Sequence, residues 1–112
     1  MLRGLVGNDT AEKVLLYMAA NESAYGQQMA MALGIPLSVV QKQLRRLESG
    51  GILVSRLIGR TRLFTFNPRF ALLPELRALL KRGFSLLPPS ERAPYESART
   101  RPRSTGKPLV LE

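Results

Sequence analysis

The clearest pattern of apolar and polar positions in this chain lies between residues 33 and 51. Val40, Leu44 and Leu47 recur at the spacing of one helix face, which predicts a helix over residues 37–49. The opposite side of this helix is polar and carries no carboxylate; its residues are Ser38, Lys42, Arg45 and Ser49, flanked by Gln41 and Arg46. We expect such a helix to bury one face and to present a cationic face to a partner.

Two shorter helical patterns precede residues 37–49. Asp9 and Glu12 have the spacing of a capping box, and the apolar positions after them predict a helix over residues 10–20. A second helix is predicted over residues 26–33, with a minimal strand at 23–25 before it. Gly34 ends the second helix, and Ile35-Pro36 forms the turn into the third. Two helices joined in this way are typical of a helix-turn-helix.

The apolar period changes to two between Ile52 and Phe66, which predicts a β-hairpin. Its tip is Ile58-Gly59-Arg60-Thr61, since glycine at the first central position suits a type II′ turn. The base of the hairpin is apolar on both faces and should be covered. The tip is basic, with Arg56, Arg60 and Arg62. We interpret this hairpin as a wing beside the helix-turn-helix.

Leucines at helical spacing predict a further helix over residues 72–82, with Gly83 as its stop. The leucines wrap more than one face of this helix; they are Leu72, Leu73, Leu76, Leu79 and Leu80. Left bare, they would form an apolar patch that soluble monomers seldom tolerate, so we expect them to form a homodimer interface. In the alternative, the C-terminal tail folds back over this helix and the protein stays monomeric.

Composition divides the chain into three parts. Residues 1–8 are expected to be a flexible N-terminus, although Leu2, Leu5 and Val6 could join a dimer interface. Residues 9–83 hold all the periodic patterns and should form one domain. Residues 84–112 contain five of the eight prolines, mixed with Arg, Ser and Gly, and we expect no independent structure there.

Charge and missing residue types narrow the possible functions. The formal charge is +9, from 17 Lys and Arg against 8 Asp and Glu, which favours a polyanionic partner. The chain has no Cys and no His, so we expect neither cofactor nor metal centre nor imidazole catalysis. The carboxylates are scattered without paired spacing, which argues against an enzyme. No apolar run reaches membrane-spanning length, and we expect an intracellular protein.

The order helix, short strand, helix, helix, hairpin, helix resembles that of small bacterial winged helix-turn-helix transcriptional regulators, related to the arsenic-repressor-like and MarR-like families. The resemblance covers about residues 9–82 and depends on Leu-Gly-Ile-Pro-Leu-Ser-Val-Val-Gln-Lys-Gln-Leu-Arg-Arg-Leu-Glu and Gly-Arg-Thr-Arg-Leu-Phe-Thr-Phe-Asn-Pro. It implies a mostly α fold with a three-helix core, a two-stranded wing and a C-terminal helix. It also implies a cytoplasmic, nucleoid-associated DNA-binding homodimer. Metal sensing is not implied, because the Cys and His ligands are missing, and no small-molecule effector pocket is visible.

The resemblance places double-stranded DNA against the helix at 37–49 and the wing. The helix would offer Ser38, Val39, Gln41 and Lys42 to bases in the major groove. Arg45 would reach the edge of the groove, and Arg46 would lie on the same DNA-binding basic path. The wing would offer Arg56, Arg60 and Arg62 to the minor groove or to phosphates. The alternative is a protein-interaction module that uses the same surface; the uninterrupted basic path from Lys42 to Arg62 favours DNA.

Overall fold

The computed structural model describes residues 1–96, which form six helices and one small antiparallel sheet of three strands. In chain order the elements are α1 (Arg3–Val6), α2 (Asp9–Asn21), β1 (Ser23–Tyr25), α3 (Gly26–Leu33), α4 (Leu37–Ser49), β2 (Leu53–Ile58), β3 (Thr61–Phe66), α5 (Leu73–Ser85) and α6 (Pro89–Glu96). The expectation of a mostly helical chain with a small β-hairpin is confirmed. Within the described residues, no helix is long and apolar enough to cross a membrane.

The three helices predicted before the hairpin are present at the expected places. Helix α2 starts one residue earlier than predicted, because the Asn8 side chain caps it by accepting a 2.8 Å hydrogen bond from the Ala11 amide. Gly34 ends α3 in the left-handed conformation, with φ 68°. Pro36 then precedes α4, which spans the predicted residues 37–49. The succession of α3, the turn and α4 therefore follows directly from local capping signals.

The hairpin has the predicted register and gains a third strand. Ile58 pairs with Thr61 across a two-residue turn at Gly59 and Arg60, and the pairing continues to Leu53 and Phe66. Strand β1 adds to the other side of β3, which gives the strand order β1-β3-β2. The base of the hairpin is fastened to the end of α4, because the Asn67 side chain donates to the Gly51 carbonyl at 2.9 Å. The hairpin is thus anchored at its base and exposed at its tip.

The core lies between α2, α4, α5 and the base of the sheet. Tyr17 and Leu15 of α2 are among its largest fully buried side chains. The apolar face predicted for α4 is buried as expected, and so are the inner positions of the sheet; these residues are Val40, Leu44, Leu47, Leu53, Phe64 and Phe66. Glu22 and Arg77 form a 2.7 Å ion pair that ties the end of α2 to α5.

Both predicted boundaries of the domain are corrected by the structure. Residues 3–6 form the short helix α1, and Leu2 is buried in the core. Helix α5 runs through Gly83 to Ser85 and does not stop at the glycine. The reason is packing: a Cβ at Gly83 would lie 3.1 Å from Leu2 Cδ1, so the missing side chain makes room for the N-terminal segment. Gly83 therefore serves a close approach inside the helix.

The expectation that residues from 84 onward lack structure is wrong for residues 84–96. Helix α6 packs on α2 and α3, and Tyr95 is only 5% exposed. The Tyr95 ring meets Tyr17 at 6.5 Å and Phe84 at 5.8 Å between ring centroids. Its backbone carbonyl accepts a 3.0 Å hydrogen bond from Asn21 Nδ2. The rest of the predicted tail, residues 97–112, lies outside the described residues.

The environment of Tyr95 predicts a loss of stability in alkali. Burial, with smaller contributions from Glu12, Asp9 and Glu91, raises the pKa of Tyr95 to about 12 from 10.0. The unfolded chain then releases the phenol proton before the folded chain does, so stability is intact below pH 10 and falls as the pH rises towards 12. We expect a loss on the order of 2 kcal/mol. Denaturant unfolding between pH 8 and about 11.5 measures it, and Tyr95→Phe should have a shallower pH dependence than the wild-type chain.

Candidate nucleic-acid interface

Helix α4 leaves one continuous polar side uncovered. The residues predicted to contact bases from its first two turns are all exposed, and so is Arg45, which is predicted to reach the edge of the groove; the base-contacting residues are Ser38, Val39, Gln41 and Lys42. Val40 and Leu44 lie on the other side, with no exposed surface, and hold the helix against the core. This division follows from the 3.6-residue period, because the two sets are offset by about half a turn. Position and orientation of the helix are therefore fixed by its buried face.

A groove of about 580 Å³ lies between α4 and the wing. Gln41 and Arg45 line it from the helix, and Arg60 and Arg62 line it from the hairpin. The start of α3 forms its third wall through Gly26 and the neighbouring Tyr25 and Gln27. A Cβ on Gly26 would lie 3.3 Å from Leu44 Cδ1, so glycine allows α3 to approach α4 closely. The structure thus brings predicted residues from two distant parts of the chain together.

The groove beside the hairpin is one of two hollows that flank α4. The second hollow, of about 550 Å³, lies on the other side of the helix. Ser38, Val39 and Lys42 line it, and Arg45 borders both hollows. The start of α2 forms the opposite wall, with Asn8, Asp9 and Thr10. Asp9 forms a 3.5 Å ion pair with Lys13. The exposed side of α4 is therefore a ridge between two hollows, and Arg45 lies on the crest of this ridge.

Arg46 does not line either hollow and contacts the N-terminal segment instead. Its Nη2 donates to the Val6 carbonyl at 2.7 Å, and its Nε donates to Gln43 Oε1 at 3.0 Å. Gln43 is buried and also accepts from Asn8 Nδ2 at 3.2 Å. Gly7, with φ 113°, lies against the guanidinium group, where a side chain would be crowded. The structure gives Arg46 a role in holding α1, separate from the residues that line the hollows.

Arg56 lies apart from the other wing arginines. It pairs with Leu63, whereas Arg62 pairs with Leu57. Side chains alternate between sheet faces along a strand, so Arg56 and Arg62 project from opposite faces of the hairpin. Arg62 faces α4, and Arg56 is exposed on the far side. The three wing arginines therefore surround the hairpin and do not form one row.

A carboxylate interrupts the basic path that the sequence predicts. Glu48 lines the groove between α4 and the wing, beside Arg45 and Arg62. Its Oε2 accepts a 2.7 Å hydrogen bond from the Ser55 hydroxyl. Helical spacing could have revealed this, because residue 48 follows residues 41 and 45 at seven and three positions along the same face. The prediction of a path without acidic groups is wrong at this point.

The five leucines predicted for a dimer interface do not share one environment. Leu80 has no exposed surface and belongs to the core, so it is not available to a partner. Leu73, Leu76 and Leu79 are partly buried against the same core, and Leu72 is 60% exposed. Burial of Leu80 follows from its position on the side of α5 that packs on α2. The dimer prediction is corrected for Leu80.

Comparison of the chain with protein-family models, with curated proteins and with solved structures gave no match in any of the three. Within residues 1–96, no three potential metal ligands among His, Cys, Asp and Glu lie together. The features that bear on function are therefore the ridge of α4, the two hollows beside it and the charges that line them.

Proposed function

We propose that this protein is a sequence-specific, double-stranded DNA-binding transcriptional regulator of the winged helix-turn-helix kind. The observation that carries the proposal is the convergence of Gln41 and Arg45 of α4 with Arg60 and Arg62 of the hairpin on one groove. A single cationic helix face is common on protein surfaces. Two separate cationic elements that border one groove form the electrostatic footprint of a nucleic-acid partner.

The exposed side of α4 has the chemistry for reading base edges in the major groove. Lys42 can donate to guanine O6 and N7, Gln41 can pair with adenine, and Val39 can meet a thymine methyl group. Ser38 can donate or accept. The helix projects these groups from its first two turns, which is where a recognition helix meets the bases.

The wing arginines suit contacts that depend little on sequence. Arg60 is exposed at the hairpin tip, beside Gly59, and no ion pair holds its side chain within the described residues. A planar, weakly hydrated guanidinium is well matched to a phosphate or to the negative field of a narrow minor groove. We assign Arg60 and Arg62 to these contacts and α4 to base reading.

One observation favours the alternative of a protein-interaction module. Val54, Leu57 and Ile58 are exposed on the hairpin, and Leu57 is 61% exposed. Apolar side chains among arginines could also pack against a protein partner. The two functions differ in sequence selectivity, because only a DNA-binding regulator should enrich a particular base motif.

We also propose that the regulator acts as a homodimer through α1 and α5. Leu5, Leu72 and Leu86 are each more than half exposed. Leu2 lies against Gly83, so the N-terminal segment that carries Leu5 is beside the end of α5, which Leu86 follows. A two-fold axis at this seam would cover the exposed leucines and set two recognition helices about one DNA turn apart.

Selection from a random duplex pool tests the proposed function. We expect the wild-type chain to enrich one base motif, and Lys42→Ala to lose about 1–3 kcal/mol on it and to relax the preference. Arg60→Ala should weaken cognate and random duplexes alike, because it changes contacts to phosphates or to groove shape. Competition binding on the enriched duplex and on a scrambled duplex measures both effects. Failure of the wild-type chain to enrich any motif would favour the protein-interaction module.

A further inference from the structure

A chain of two hydrogen bonds joins the recognition helix to the wing. The Ser55 hydroxyl donates to Glu48 Oε2 at 2.7 Å, and Arg62 Nη1 donates to Ser55 Oγ at 3.3 Å. Glu48 is in the last turn of α4, Ser55 is on β2, and Arg62 is on β3. The three side chains therefore connect α4 and β3, which both border the groove, through β2 of the hairpin, at a distance from the hairpin's anchored base.

The geometry places Ser55 at the centre of this connection. It pairs with Phe64 in the sheet, and Leu57 pairs with Arg62, so Ser55 and Arg62 are diagonal neighbours on the face towards α4. Its hydroxyl donates its one proton to Glu48 and accepts from Arg62 with one of its two lone pairs. Because the hydroxyl proton of Ser55 points to the Glu48 carboxylate, a lone pair of Ser55 Oγ is directed towards the guanidinium of Arg62.

The arrangement also accounts for a carboxylate within a basic groove. Arg62 itself is exposed and would otherwise move among many rotamers, with an entropic cost on binding. Arg62 donates from one of its nitrogens to Ser55, and the guanidinium has further N–H donors on its other edges. One edge of Arg62 is therefore held by the protein while the others remain free for an anion.

We propose that Glu48 and Ser55 are positioning residues that fix Arg62, so that α4 and the wing engage the DNA backbone as one preorganised surface. This inference rests on the proposed function and deepens it, because it assigns a residue set that determines how the wing meets a phosphate. Ser55 contacts both Glu48 and Arg62, Glu48 acts on Arg62 through Ser55, and neither Glu48 nor Ser55 is required to touch DNA.

A double-mutant cycle tests the inference on the full chain. The probe is a fluorescein-labelled, random-sequence duplex of about 30 base pairs, roughly three helical turns, since phosphate contacts do not depend on sequence. Ser55→Ala should weaken binding about three- to tenfold in the wild-type background and leave it unchanged in the Arg62→Ala background. Ser55→Thr keeps the hydroxyl on a residue that suits a strand, and should bind like the wild-type chain.

Several outcomes would overturn the inference while the proposed function stands. Equal losses from Ser55→Ala in both backgrounds would mean that Ser55 acts independently of Arg62. Tighter binding by Ser55→Ala would mean that the hydrogen bonds restrain Arg62 from DNA. Failure of Ser55→Thr to recover binding, with an unchanged melting temperature, would also contradict it. By contrast, a wild-type chain whose binding to the duplex is absent or independent of salt would overturn the proposed function itself.

Discussion

Replacement of Tyr95 by alanine is expected to lower the free energy of unfolding by about 3–5 kcal/mol, as for other buried aromatic side chains. Tyr95 is 5% exposed and lies between the rings of Tyr17 and Phe84. Its loss would leave a cavity beside α2, the helix that contacts both α4 and α5. A domain of this size is stabilised by only about 5–15 kcal/mol in total, so this single change removes a large share.

Thermal and urea unfolding measure the effect of Tyr95→Ala. The expected fall in melting temperature exceeds about 10 °C. Tyr95→Phe is the matched control, because it keeps the ring contacts and loses only the hydroxyl group. Glu91→Ala is a second control in the same helix, since Glu91 is exposed. Deletion of the chain after residue 87 removes α6 and should destabilise at least as much as Tyr95→Ala. An unchanged melting temperature for that shortened chain would show that α6 does not support the domain.

Helix α6 also shows why local sequence signals beyond residue 83 do not predict a helix. Pro94 lies inside this eight-residue helix and removes a backbone donor, so local propensity argues against a helix. Tertiary contacts outweigh that preference, because the Tyr95 ring and the Asn21 hydrogen bond hold the segment on α2. Such contacts join residues more than 70 positions apart, and no local pattern encodes them.

Elements with strong local signals were predicted well. The ends of α4 follow from Gly34, Pro36 and the glycines at 50 and 51, and the hairpin register follows from the turn at Gly59. Orientation of individual charged side chains was less predictable. Arg46 points to the Val6 carbonyl, because α1 lies against that side of α4. Glu48 enters the groove, because Ser55 of β2 reaches it. Both outcomes depend on which element packs beside the helix.

Binding of this protein to duplex DNA is expected to weaken by about 10⁴- to 10⁵-fold between 50 and 200 mM salt. Four cationic side chains lie on the ridge or the groove, namely Lys42, Arg45, Arg60 and Arg62, and Arg56 flanks the wing. If each protomer neutralises about four or five phosphates, a dimer should show a slope of log K against log salt near −8, at about −0.9 per phosphate. A lone protomer would give about −4 and a loss of only several hundredfold.

The salt titration should be paired with sedimentation, since the slope and the mass report on the same assembly. We expect a dimer mass, and a monomer mass with a slope near −4 when Leu5 and Leu86 both become Glu, because the charges would lie in the proposed seam. Arg60→Ala should make the dimer slope less steep by about 2, one phosphate in each protomer. Arg69→Ala is the matched control, because this exposed arginine lies outside both hollows and should leave the slope unchanged. A wild-type monomer with a slope near −4 would exclude the dimer and retain DNA binding, whereas an affinity flat in salt would exclude an interface built on these cations.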